Sequence, residues 1–218
     1  MHVELFLDTL SSWCLLAAPA WKRLQETPAY AGRVTFAWSL ALVDRADALG
    51  YTPETIDWYY RRTAKMTGER LNPGWIDGPQ TGTLNANLVT AAARTLGAAD
   101  DRVWVALATA ALREGRPMGR LAAAVEVGAA AAGLDPAELA ARAQSEEVLE
   151  YVRDGTDRFR SLALPQRPSH VVTDEIGDLV TFSGLWTYEP LAAALDALLA
   201  DVDGHRVYMI NAPAEPLR

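Results

Sequence analysis

Apolar residues open the chain in a short run, Val3-Glu4-Leu5-Phe6-Leu7, which predicts a strand. A helical pattern follows in Leu15-Leu16-Ala17-Ala18-Pro19-Ala20-Trp21, and the residues between, Asp8 to Cys14, form a tight turn. Val34-Thr35-Phe36-Ala37-Trp38, β-branched and aromatic, predicts a second strand after the turn around Gly32. From Thr52-Pro53-Glu54, a helix start with proline in the first turn, the character becomes helical. Leu71 to Pro79 is a loop dense in proline and glycine. Helices are then predicted over Thr83–Leu96, Asp101–Glu114, Leu121–Ala132, Asp135–Ala143 and Ser145–Leu162, the last with Gly155 inside it. Gly97, Gly115 and Gly133 stop the first three, and alanine, the best helix former, dominates them. After Leu164-Pro165-Gln166-Arg167-Pro168 strands return at Ser169–Thr173 and Leu179–Phe182, joined by a hairpin turn. A final helix is predicted from about Tyr188 to Asp201, and Val207 to Pro213 reads as an edge strand or a docking arm.

The order is β-α-β, a block of helices, then β-β-α. Neither end has enough strands to bury a sheet alone, and together they supply four. This predicts an α/β fold in which one sheet is interrupted by an all-helical insertion. The expected division is residues 1–50 and 164–204 for the sheet domain, 51–163 for the insertion and 205–218 for a C-terminal tail.

Composition narrows the partners more than the fold. Half of the 218 residues are apolar and 22% are charged, which supports a packed core. A net charge of −8 without any Lys/Arg run argues against nucleic acid or an anionic membrane surface. The first residues lack a signal-type pattern, no stretch approaches 18 continuous apolar residues, and the single cysteine cannot form an intrachain disulfide. A cytoplasmic protein acting on a small molecule is the expectation, with a homodimer left open. No His/Cys spacing suggests a metal. G-x-G-x-x-G, G-x-x-x-x-G-K-[ST] and G-x-S-x-G are all absent.

Candidate chemistry gathers at the Asp8–Cys14 turn. A strand, a turn and a helix in that order put Ser11, Ser12 and Trp13 at a helix N-terminus, where backbone N–H groups lack intrahelical partners and the dipole favours negative charge. Two cysteines spaced C-x-x-C would do redox chemistry there, but the first position is Ser11. Ser11 is read either as a hydroxyl donor to a thiolate or other anion, or as a plain N-cap. Cys14 is read either as a low-pKa nucleophile or as a small buried apolar residue, and alone it cannot resolve a mixed disulfide. The Arg167 guanidinium is placed to pair a substrate carboxylate or to sit solvated in its loop. His170 reads as a general base or, more simply, a structural histidine. Of the aromatic residues able to line a cleft, Trp13 comes first and Trp186 second.

Several segments, in order, resemble the thioredoxin-fold proteins of the DsbA family. The similarity points to the FrnE-like branch and to the branch of 2-hydroxychromene-2-carboxylate isomerases and kappa-class glutathione transferases. Phe6-Leu7-Asp8 with Ser11-Ser12-Trp13-Cys14 resembles D-x-x-C-P-W-C, with Ser11 at the attacking cysteine and Ser12 at the proline. Thr83-Leu84-Asn85 resembles the entry to the insertion helix, Gly133-Leu134-Asp135 a spacing before the return to the sheet, and Phe182-Ser183-Gly184 the closing strand. Arg167-Pro168-Ser169-His170-Val171-Val172 resembles the segment whose cis-proline faces the active turn.

The resemblance implies a DsbA-like thioredoxin fold with a cleft walled by the Ser11–Cys14 turn, the Arg167-Pro168 loop and the insertion. It implies catalytic roles for Ser11 and Cys14, and binding roles for Ser12, Trp13, Asn85, Arg167, Pro168 and Trp186. The activity implied first is isomerisation or thiol transfer on an aromatic or polyketide-like substrate in secondary metabolism. Ser11 would stabilise a thiolate or enolate, with a low-molecular-weight thiol such as glutathione as cofactor and no metal. The alternatives are a thiol–disulfide oxidoreductase or isomerase using Cys14, and a redox-inactive binding or scaffolding protein. The Asp-Arg clamp that grips glutathione in the isomerase and transferase branch has no counterpart in Leu185-Trp186-Thr187-Tyr188.

Overall fold

The computed structural model describes residues 1–43, 52–78 and 81–211. The expected boundary at residues 50 and 51, Pro79 of the proline-rich loop and the tail beyond Asn211 lie outside the described residues. Strands β1 (His2–Leu7), β2 (Thr35–Leu40), β3 (Ser169–Thr173) and β4 (Leu179–Ser183) form one sheet in the order β2-β1-β3-β4. β1 pairs parallel to β2 and antiparallel to β3, with Leu5 opposite both Trp38 and His170. β1 is covered on both faces, which explains its nearly continuous apolar run.

One face of the sheet carries α1 (Ser12–Gln25) and α8 (Tyr188–Asn211), with Val3, Leu5 and Leu7 packing in the same core as Trp21, Leu191 and Leu195. The other face carries α7 (Glu146–Ser161), where Phe6, Ala41, Val171 and Phe159 form a smaller core. Between β2 and β3 in the chain come α2 (Pro53–Thr67), α3 (Leu84–Thr95), α4 (Arg102–Leu112), α5 (Leu121–Ala132) and α6 (Pro136–Ala143) ahead of α7. α3 lies at the centre of this helical part, with Ala86 to Ala93 all buried and α4, α5, α6 and α7 packed around it. Its small side chains allow the close helix approach that the alanine content suggests. The strands and helices thus follow the β-α-β, helices, β-β-α order.

The C-terminal stretch differs from expectation. Val207 to Asn211, read as an edge strand or arm, continue α8 as helix. Non-local ion pairs hold this extension: Arg33 donates to both Asp203 oxygens at 2.7 Å, and Arg206 pairs with Glu175 beyond β3.

Gly155 explains how closely α7 approaches the sheet. A Cβ at this position would run into the Leu40 carbonyl oxygen at the end of β2. One turn of contact is completed by Thr156, whose hydroxyl accepts from the Leu42 N–H at 3.0 Å. Gly155→Ala is therefore expected to lower stability by about 1–3 kcal/mol, although alanine alone favours helix by about 1 kcal/mol. Urea unfolding measures it, and a stabilised variant would contradict the close approach.

Candidate active site

The turn between β1 and α1 is fixed from below by a buried carboxylate. Asp8, completely buried, accepts from the Leu10 N–H at 2.8 Å, the Val43 N–H at 2.9 Å and the Thr83 hydroxyl at 2.6 Å. Its own carbonyl accepts from the Ser11 N–H at 3.0 Å, closing the turn. Thr9 anchors the same turn to α3. Its N–H and hydroxyl both reach the Asn87 side-chain oxygen at 3.1 Å, and Thr90 stands beside it.

Above this base lies a cavity of about 410 Å³, within the range of small-molecule sites. The turn contributes Leu10, Ser11, Ser12 and Trp13 to its wall. α2 forms the facing wall with Tyr60, Arg62 and Met66, and Trp75 and Thr83 close the end. The lining is mostly apolar, and the Trp75 indole N–H is satisfied by the Tyr60 hydroxyl at 2.9 Å.

Ser11 is the N-cap residue of α1 with extended backbone angles, yet its hydroxyl makes no capping bond into the helix. The plain N-cap reading therefore does not account for it. The hydroxyl acts instead on the Cys14 thiol, where it favours the thiolate. Burial outweighs that help: Cys14 is 2% exposed, lies outside the cavity wall, and its pKa is pushed up to about 12. A thiol in that state is protonated at neutral pH, and Cys14, expected to be catalytic, lies beneath the cavity rather than in its wall.

The other expected site residues divide. Ser12 and Trp13 line the cavity with Ser11. Trp186 stacks obliquely on Trp13, with ring centroids 5.8 Å apart, and faces a neighbouring groove along α1 rather than the cavity. Asn85 turns away: its amide donates to the Gly119 carbonyl at 2.8 Å. Asn87, two residues on and so on another side of the helix, meets the turn instead.

The Arg167-Pro168 bond is cis, and the Pro168 carbonyl accepts from the Gly184 N–H. No residue of that loop lines the cavity, contrary to the expected cleft. Arg167 is engaged elsewhere, donating to the Ala41 and Leu42 carbonyls at 2.5 Å and lying 4.0 Å over the Phe159 ring. Those bonds turn Nε and one Nη of the guanidinium, expected to pair a substrate carboxylate, toward backbone carbonyls just after β2. His170 is buried against Trp21, on the sheet face that carries α1 and not at the cavity.

Asp8 as an anchor, and Tyr60, Arg62 and Thr83 as cavity residues, were not foreseen from the sequence, while Trp75, one of the aromatic residues able to line a cleft, does line it. For α2 a signal was present. Ile56, Tyr60 and Thr63 are spaced as one buried stripe, which sets Tyr59, Arg62 and Met66 along its edge.

The sequence matches the DSBA-like thioredoxin domain over residues 2–196. The chain belongs to that family. Solved structures agree with the fold of this DSBA-like chain. A candidate protein disulfide isomerase from Nitrosomonas europaea superposes with a TM-score of 0.75 at 16% identity, covering 92% of this chain and 98% of that one. The cytosolic disulfide reductase DsbM from Pseudomonas aeruginosa gives 0.74 at 18% identity, over 92% and 99% of the two chains. A 2-hydroxychromene-2-carboxylate isomerase gives 0.60 at 15% identity, over 96% and 99%. DsbM is also known in a structure with GSH. No curated protein sequence matches the chain. Among the described residues no helix is long and apolar enough to cross a membrane, and no group of three or more His, Cys, Asp or Glu could hold a metal ion.

Proposed function

We propose that this DSBA-like protein is an isomerase or thiol transferase acting on a small aromatic or polyketide-like molecule. Ser11 and the first-turn amides of α1 stabilise a thiolate or enolate in the cavity. One observation carries this reading. At the head of α1 the serine opens into the cavity while the only cysteine is sealed beneath it. A hydroxyl not used for capping, at the positive end of a helix and among apolar walls, suits a developing anion better than a disulfide exchange. A low-molecular-weight thiol is the cofactor in this reading, as DsbM with GSH suggests, and the cytoplasm is the place of action, as in that cytosolic relative. The substrate is a small molecule rather than nucleic acid or membrane.

The test uses glutathione and 2-mercaptoethanol as probes, with bound thiolate followed by ultraviolet absorbance and affinity by calorimetry. The wild type is expected to bind a thiolate at neutral pH, Ser11→Ala to bind it about tenfold more weakly, and Cys14→Ala to match the wild type. Insulin reduction that disappears in Cys14→Ala would support the oxidoreductase instead. Thiolate binding indifferent to Ser11 would remove the proposed role.

A further inference from the structure

The cavity continues past its rim. Tyr60 and Arg62 belong to two recesses, the Ser11 cavity and an open groove of about 610 Å³ on the outer side of α2. The groove is lined by Trp58, Arg61, Lys65 and Arg70 in addition. Asp57, its one acid, is taken by Arg61 at 2.6 Å, and the nearby Glu69 pairs with Arg113. Among the described residues Arg62, Lys65 and Arg70 have no carboxylate within ion-pair distance. The Arg62 guanidinium lies 5.0 Å over the Trp58 ring, at the junction of the two recesses. In a chain of net charge −8, this is a local field of the opposite sign, set at the mouth of an apolar cavity.

We infer that the ligand of this site is an amphipathic anion. Its aromatic body fills the cavity in front of Ser11. Its anionic group, a carboxylate or a phosphate, leaves the cavity over Arg62 toward Lys65 and Arg70. The inference rests on the reading of the cavity as the substrate site. The chemistry is complementary at both ends: tryptophan, tyrosine and methionine offer the ring an apolar surface, and a guanidinium fork matches a carboxylate or phosphate in two-point geometry. Arg62 would therefore determine specificity, while Lys65 and Arg70 would strengthen capture in a salt-dependent way. This cation stands on α2, whereas Leu185-Trp186-Thr187-Tyr188 carries no charged clamp.

Three probes of one ring system test it by calorimetry: 2-naphthoate, 2-naphthyl phosphate and neutral 2-naphthamide. On the wild type both anions are expected to bind about tenfold more tightly than the amide. Arg62→Gln should reduce them to the amide's level, and Arg62→Lys should restore part of the loss. Ser11→Ala should leave that preference in place. Lys65→Gln with Arg70→Gln should flatten the salt dependence. The tighter of the two anions identifies the natural anionic group. Equal affinity for anion and amide, or anion binding unchanged in Arg62→Gln, overturns the inference while leaving the cavity reading standing. If none of the three probes binds the wild type, both fall together.

Discussion

Asp8→Ala is expected to lower stability by about 3–5 kcal/mol, the largest loss from any single substitution considered. The carboxylate is completely buried and receives three hydrogen bonds from three separate parts of the chain. Hydrogen bonds to a charged group contribute about 1.5–3 kcal/mol each, and a buried donor left without an acceptor also loses its hydration. The methyl group of alanine replaces none of them. The loss is a large share of the roughly 5–15 kcal/mol typical of a folded domain. The effect reaches the site as well, because the three donors, Leu10, Val43 and Thr83, all line the cavity. Asp8 is thus a positioning residue for the site, acting through the residues it holds. Asn at this position keeps one acceptor oxygen and should fall between wild type and Ala. Urea titrations of the three proteins rank them, and an Asp8→Ala protein as stable as wild type would exclude the anchor.

Acidification should weaken the fold through His170, by about 3 kcal/mol once the pH has fallen to about 4. The imidazole is 1% exposed in β3, against Trp21, and burial pushes its pKa down from 6.5 to about 4. The Phe182 backbone across the ladder acts in the opposite direction and does not outweigh burial, and no charged side chain contributes. Among the described residues neither ring nitrogen has a partner in good hydrogen-bonding geometry. Between the two pKa values the unfolded chain binds more protons than the folded one, so stability rises with pH across that window and is lost as pH falls through it. Other groups add their own acid dependence, and His170→Leu isolates this one. Its stability should fall less steeply between pH 6.5 and 4 than that of the wild type, as read from urea midpoints. Identical slopes in the two proteins would show that His170 does not titrate as described.

Local chemistry explains why so much of the fold was legible. α5 ends at Ala132 because Gly133 takes a left-handed conformation that alanine does not favour, and α6 begins where Asp135 accepts from the Glu138 N–H ahead of Pro136. Those signals lie within a few residues of the feature they set. α8 ran past its expected end because its support comes from Arg33 and Glu175, far away in sequence. The site divides in the same way. The serine, the lone cysteine and the helix N-terminus were visible in the turn. That Asn87 and not Asn85 would face it depends on how α3 is rotated against the sheet. The place of Arg167 depends on Phe159 and on carbonyl groups more than 120 residues away, at the end of β2. Residue type alone suggested a free guanidinium.

β1, in the middle of the sheet, also has a place in the order of assembly. Its parallel neighbour β2 follows it closely in the chain, but its antiparallel neighbour begins only at Ser169. The parallel pairing with β2 can form early, while the other side of β1 stays open until the helices between β2 and β3 have been synthesised. During that interval the helices around α3 can settle on one another through contacts much nearer in sequence. A nascent chain stalled before β3 would present the hydrogen-bonding edge of its central strand to any passing extended segment. Late arrival of β3 and β4 is what closes that edge.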